Sequence, residues 1–185
     1  RTSVSSTDPA LERHCSRFNA RVDEIISRLR DSLVGREVPL VDADSTDADS
    51  PACQREFWVS DTFFRATDRY ISARVKIYAY NGGAHGMTYF HAFNYDTRAG
   101  EFMDNARLLD YTRKADVEKL LDARLDNPDG CFTDRPRLGN STAVNFSAGE
   151  MIFTYPPYAL GPYSCGAAEI VVPLKELGKA VKARL

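Results

Sequence analysis

The sequence predicts an α+β fold: an antiparallel sheet of about five to six strands with helices packed on one face. Three observations carry this. A long helical apolar stripe opens the chain. From Arg55 to Asp96 the period shortens to alternation in residues rich in aromatic and β-branched side chains. A second helical stretch, residues 104–128, separates those strands from short strand-like runs near the C-terminus. The 185 residues read as a single domain, with residues 1–7 disordered.

The first helix starts at Asp8-Pro9, an N-cap followed by proline at the first helical position. Leu11, Cys15, Phe18, Val22, Ile25, Ile26, Leu29 and Leu33 recur at steps of three and four, and Gly35 is the stop. Arg13, Arg17, Arg21 and Arg28 lie outside the stripe and read as a solvated face. Asp42 to Cys53 is acidic and aperiodic and reads as a surface loop; its Asp spacing lacks the Gly and terminal Glu of a calcium loop. Two strands follow, Arg55–Thr67 and Tyr70–Tyr80, turning at Asp68-Arg69. In the second, Ile71, Ala73, Val75, Ile77 and Ala79 point to the core. Trp58, the only Trp, is expected in the core as well. Met87–Asp96 is the third strand, closed by a glycine turn through Gly100. The helical stretch carries Val117, Leu120, Leu121 and Leu125 on one face and ends at Asn127-Pro128. Residues 143–156 read as a hairpin turning at Ala148-Gly149, residues 168–174 as a last strand, and residues 175–185 as a terminal helix.

Composition excludes several classes. With 43% hydrophobic residues, the chain has material for a core. Its 24 basic and 26 acidic residues leave a net charge of −2, unlike a nucleic-acid binder. No apolar run approaches the roughly 20 residues of a membrane helix. The opening Arg1-Thr2-Ser3 reads as a mature or trimmed start, with any signal or anchor upstream. No nucleotide, metal or other cofactor motif is apparent, so no cofactor is expected.

Four cysteines, Cys15, Cys53, Cys131 and Cys165, are widely spaced and form no C-x-x-C pair. They fit two disulfides in an oxidising compartment, preferably Cys15–Cys53 and Cys131–Cys165; three pairings are open on sequence grounds, and four buried thiols are the alternative.

Two motifs carry the functional question. In Tyr80-Asn81-Gly82-Gly83-Ala84-His85-Gly86, the glycines suit an irregular strand connection. The loop leads into a strand, not a helix N-terminus, and lacks a phosphate-loop ending. Gly82, Gly83, His85 and Gly86 are therefore read as loop-shaping residues. A hydrolase or deacetylase built on His85, His91 and Asp96 is the enzymatic alternative, though the three histidines show no triad or metal spacing. The second motif, Phe153 to Pro173, sets Tyr155, Tyr158 and Tyr163 among Pro156, Pro157 and Pro162. Stiff, tyrosine-bearing loops suit binding surfaces because little entropy is lost on docking. A loop folded onto its own domain is the competing reading.

Together, Y-N-G-G-A-H-G…N-Y-D-T-R-A-G-E and F-S-A-G-E-M-I-F-T-Y-P-P-Y-A-L-G-P-Y-S-C-G-A-A-E-I-V-V-P resemble the RsiV-like domain family. That family includes the extracytoplasmic part of the RsiV anti-sigma factor and an accessory domain of some peptidoglycan deacetylases. The resemblance spans about Asp8 to Leu177, with Leu160 and Gly161 departing from the family pattern. It implies a non-enzymatic, extracytoplasmic (periplasmic or envelope-anchored) α+β binding domain for a lysozyme-like or other wall-degrading enzyme, as inhibitor, immunity protein or sensor ectodomain. The implied contact residues are Tyr155, Pro157, Tyr158, Pro162 and Tyr163. A peptidoglycan- or glycan-binding module is the runner-up, marked by exposed Trp and Tyr.

Overall fold

The structure is a computed structural model that describes residues 2–35, 55–82, 84–183 and 185. The described strands form two antiparallel sheets, not the single sheet expected from sequence. One has the order β1-β2-β3-β4, with β1 Glu56–Ala66, β2 Tyr70–Tyr80, β3 Met87–Asp96 and β4 Glu101–Phe102. The other has the order β5-β6-β7, with β5 Ala143–Phe146, β6 Glu150–Tyr155 and β7 Ala168–Pro173. The helices are α1 Pro9–Leu33, α2 Asn105–Leu108, α3 Lys114–Arg124 and α4 Leu174–Leu177, with a 3₁₀ turn, Tyr111–Arg113, leading into α3.

The chain forms two compact units, residues 1–60 with 76–89, and residues 61–75 with 90–185. In the first, the Asp8 carboxylate accepts from the Ala10 amide and caps α1. Cys15, Phe18 and Val22 form the buried centre of the helix stripe, while Ile25, Ile26, Leu29 and Leu33 are only half-buried. Ahead of α1, the Val4 amide and carbonyl both bond to the Asn19 side chain, and the Ser6 amide donates to Glu12. Cys15 is a free thiol in the structure, which departs from the expected bridge to Cys53; Cys53 and the acidic Asp42–Cys53 stretch lie outside the described residues. Trp58 also departs from expectation. It is 66% exposed on β1, the edge strand of its sheet, and its indole N–H donates to Glu56. Strand alternation turns Glu56, Trp58 and Ser60 outward and Phe57 and Val59 inward.

In the second unit, Tyr70, Leu108, Leu109, Leu121, Val144, Phe146, Met151, Phe153, Ile170 and Val172 belong to one core. Each large side chain here contributes roughly 1.5–3 kcal/mol by burial. Helix α3 packs against β7. β4 arises because Asp96 organises the preceding turn: its carboxylate accepts from the Arg98 and Ala99 amides and its carbonyl from Gly100. The chain thereby reverses and pairs Tyr95 with Phe102.

A buried polar network joins the two sheets within this unit. The Ser72 hydroxyl donates to Asn94 Oδ1 (2.7 Å) and accepts from the Phe146 amide (3.1 Å). Asn145 Nδ2 donates to the Ala73 carbonyl (2.8 Å), and Asn94 Nδ2 to the Val144 carbonyl (2.8 Å). These bonds offset most of the cost of burying the three side chains and tie β2, β3 and β5 to one another. Arg74 works similarly: it bonds Thr154 and Glu169 while its guanidinium lies 5.2 and 5.3 Å from the rings of Phe64 and Phe90. The expected terminal helix stops after α4 and one 3₁₀ turn, because the tail gives its backbone elsewhere. Val181 bridges Leu109, and the Lys182 amide donates to the Leu108 carbonyl.

Candidate functional site

The segment after β6 is built to hold two tyrosines at the surface. The Ala159 amide donates to the Pro156 carbonyl (3.1 Å), closing a four-residue turn around Pro157 and Tyr158. Tyr158 occupies the second central position with φ 69°, the pattern of a type II turn. That position normally takes Gly, and a side chain there costs about 1 kcal/mol or more. Tyr158 has the only positive φ found at a non-glycine among the described residues, and the residue is 55% exposed. Tyr163, half-buried, begins a 3₁₀ turn behind exposed Pro162. The two rings sit 5.5 Å apart, tilted by 43°.

Three anchors fix this loop to the segment after α3. The Leu160 carbonyl accepts from both the Thr133 and Asp134 amides at 2.9 Å. Cys131 and Cys165 form a disulfide, as the sequence led us to expect. Gly161 lies against that segment so closely that a Cβ would fall 2.8 Å from the Cys131 carbonyl oxygen. The anchoring segment is itself braced, since Asn127 bonds both the amide and the carbonyl of Phe132. Glu118 of α3 receives the Leu138 amide (2.8 Å) and Arg137 (3.0 Å). Burial pushes the Glu118 carboxyl up, but these donors and Lys114 outweigh it and hold its pKa below the usual carboxylate value.

The five residues expected to meet a partner thus divide. Tyr158 and Pro162 are exposed, and Tyr163 is partly so. Tyr155 is only 2% exposed, because it ends β6 opposite Ala168 and points into the core; burial pushes its phenol pKa far up. Pro157 is buried beneath the turn. These two shape the loop from inside.

The glycine loop has a different construction. Gly86 is buried against Tyr78, where a Cβ would fall 2.4 Å from the ring. Gly82 has φ 83°. His85 is exposed and its Nδ1 lies 3.0 Å from the Gly86 carbonyl, a bond local to the loop; Gly83 lies outside the described residues. Of the other members of the enzymatic alternative, Asp96 is engaged by the turn amides. His91 lines a cleft of about 500 Å³ elsewhere on β3, and burial lowers its pKa. Among the described residues, no group of three or more His, Cys, Asp or Glu side chains has the placement to hold a metal. No described helix is long and apolar enough to cross a membrane.

The strain at Tyr158 depends on a backbone angle and was not read from sequence. A Pro-Tyr pair followed by Ala-Leu-Gly was the available signal, since proline favours the first central position of such a turn. Nor was the His91 cleft visible, because its walls come from β3, residues 103–111 and residues 139–143.

An α+β architecture of two antiparallel sheets, bearing a cross-linked aromatic loop, is the class these observations define. Residues 101–175, which include that loop, match the family model described as a protein of unknown function, DUF3298. Two solved structures share the fold. A DUF3298-family member from Bacteroides fragilis NCTC 9343 aligns over 94% of this chain and 67% of its own, with TM-score 0.61 and 13% identity. A DUF3298-family protein from Pseudomonas aeruginosa PAO1 aligns over 88% and 79%, with TM-score 0.57 and 22% identity. No curated protein matches the chain.

Proposed function

We propose that this chain is a non-enzymatic, extracytoplasmic binding domain whose Tyr158–Tyr163 edge docks into a lysozyme-like or other wall-degrading enzyme. The observation that carries the reading is Tyr158: an exposed aromatic held at φ 69°. Strain of that kind persists only where surrounding structure imposes it, and it concentrates at binding sites. The anchors on Leu160, Gly161 and Cys165 keep the loop in one shape before contact, which lowers the entropy lost on docking. The resemblance of both motifs to the RsiV-like family supports a wall-degrading enzyme as partner. The disulfide supports an oxidising compartment.

A standard interface buries roughly 800 Å² per partner, more than two rings supply. The braced segment from Phe132 to Ser141 is the expected second contributor. Calorimetric titration with a purified c-type lysozyme and with a bacterial peptidoglycan hydrolase tests the reading. Binding of one of them, weakened at least a hundredfold by Tyr158→Ala with Tyr163→Ala, supports it, since paired aromatic anchors are each worth about 2 kcal/mol or more. Unchanged binding in that double variant refutes the assignment of the loop, and no binding of either enzyme refutes the partner class.

A further inference from the structure

The cleft on β3 contains polar groups that the fold does not use. His91 is half-buried in its wall, and its imidazole makes no hydrogen bond among the described residues. Tyr111, 40% exposed at the start of the 3₁₀ turn, and Asn140, which also line the cleft, likewise have none. Asn105 donates through Nδ2 to the Thr142 carbonyl (3.1 Å), which fixes the side chain and leaves Oδ1 as an open acceptor. A ring whose polar edge is not taken up by the fold, set in a cleft, is available to pair with a ligand.

The lining narrows the ligand's chemistry. No Lys or Arg lines the cleft, so nothing there favours phosphate or carboxylate. Asp104 is the one carboxylate, and its Oδ1 already caps α2 by accepting from the Arg107 amide. Burial lowers the His91 pKa, so the imidazole is neutral at pH 7 and offers one donor and one acceptor. Side-chain amides, a neutral imidazole and a tyrosine ring lining one cleft match alternating hydroxyls around an apolar ring face. The volume of about 500 Å³ accommodates one or two such rings.

We propose that this cleft is a binding site for a neutral saccharide, with Tyr111 as the stacking platform and His91, Asn105 and Asn140 as hydrogen-bonding partners. The inference does not depend on what the Tyr158 loop binds. Amide-resolved NMR titration with the β-1,4 trimer of N-acetylglucosamine, and with maltotriose as a second neutral sugar, tests it. At millimolar sugar, shifts centred on residues 91, 105, 111 and 140 are expected with at least one of the two. Tyr111→Ala and Asn140→Ala, both at exposed positions that leave the fold intact, are each expected to weaken binding about three- to tenfold. Tyr158→Ala is expected to leave these shifts unchanged. Absence of shifts with both sugars, shifts confined to residues 156–166, or full binding by the Tyr111 and Asn140 variants would overturn the proposal.

Discussion

The Pro156–Gly166 loop and the Asn81–Gly86 loop are both glycine-bearing connections, yet they use their glycines for opposite ends. Gly86 lets the strand close down on the tip of the Tyr78 ring. Its neighbour His85 turns back to the Gly86 carbonyl, a bond within the loop itself. Gly161 also permits close approach, but to the backbone of a segment thirty residues earlier, and that approach braces two outward-facing rings. One loop shapes the scaffold. The other accepts backbone strain at Tyr158, and the cross-links around it keep that strain in place.

The contrast is sharpest when the cross-links go. Cys131→Ser with Cys165→Ser opens a disulfide of sequence separation 34. It is expected to lower stability by about 3–4 kcal/mol in chain-entropy terms, read by denaturant titration. The same variant is expected to lose partner binding before it unfolds, because Tyr158 then relaxes from its turn.

Next in size is the paired comparison of glycines. Gly161→Ala drives a methyl into a carbonyl that cannot move away, at a cost of about 1–3 kcal/mol. Gly86→Ala meets the end of a side chain that is able to swing, so its loss should be smaller. Thermal melts of both variants check the order; equal losses would mean that Tyr78 is as immobile as the backbone.

The brace at Glu118 is pH-sensitive. Its folded pKa lies below the unfolded value, so its contribution is present above the ordinary carboxylate range and is lost as pH falls through the folded pKa. Glu118→Gln is expected to cost about 1 kcal/mol at pH 7 and to flatten the acid limb of the stability curve. Melting temperature against pH from 3 to 7 on both proteins is the measurement. An unchanged acid limb would show that the carboxylate is not what ties α3 to the loop.

The smallest effect has the opposite sign. Tyr158→Gly removes the left-handed strain and is expected to raise stability by up to about 1 kcal/mol while weakening partner binding. A variant that is both more stable and a poorer binder is the signature of strain held for function. If Tyr158→Gly destabilises the fold, the ring is part of the domain's own packing.

How much was legible in sequence varied with the range of the interactions. Helix α1, with Asp8 and Pro9 at its start, and strands β2 and β3 were readable to the residue, because caps and alternation act within a few positions. The Asn94-Tyr95-Asp96 motif was visible as a pattern, but its work was not: Asn94 joins two sheets and Asp96 builds the turn that makes β4. Trp58 was misplaced because alternation fixes which residues share a face, not which face is covered. Tyr155 was grouped with the loop tyrosines although it closes the hairpin read at residues 143–156, because strand alternation does not say which face the core will cover.

The sequence by itself determined the helix and strand periods and the stiff proline-tyrosine segment, all set by local sterics and spacing; it favoured the Cys131–Cys165 tie without excluding other pairings. Only the tertiary structure decided that the strands divide into two sheets, that Tyr155 and Pro157 turn inward while Tyr158 stays out at a positive φ, and that His91, Tyr111 and Asn140 line one cleft. Those outcomes depend on contacts between residues tens of positions apart, where packing and buried hydrogen bonds override any preference carried by neighbouring residues.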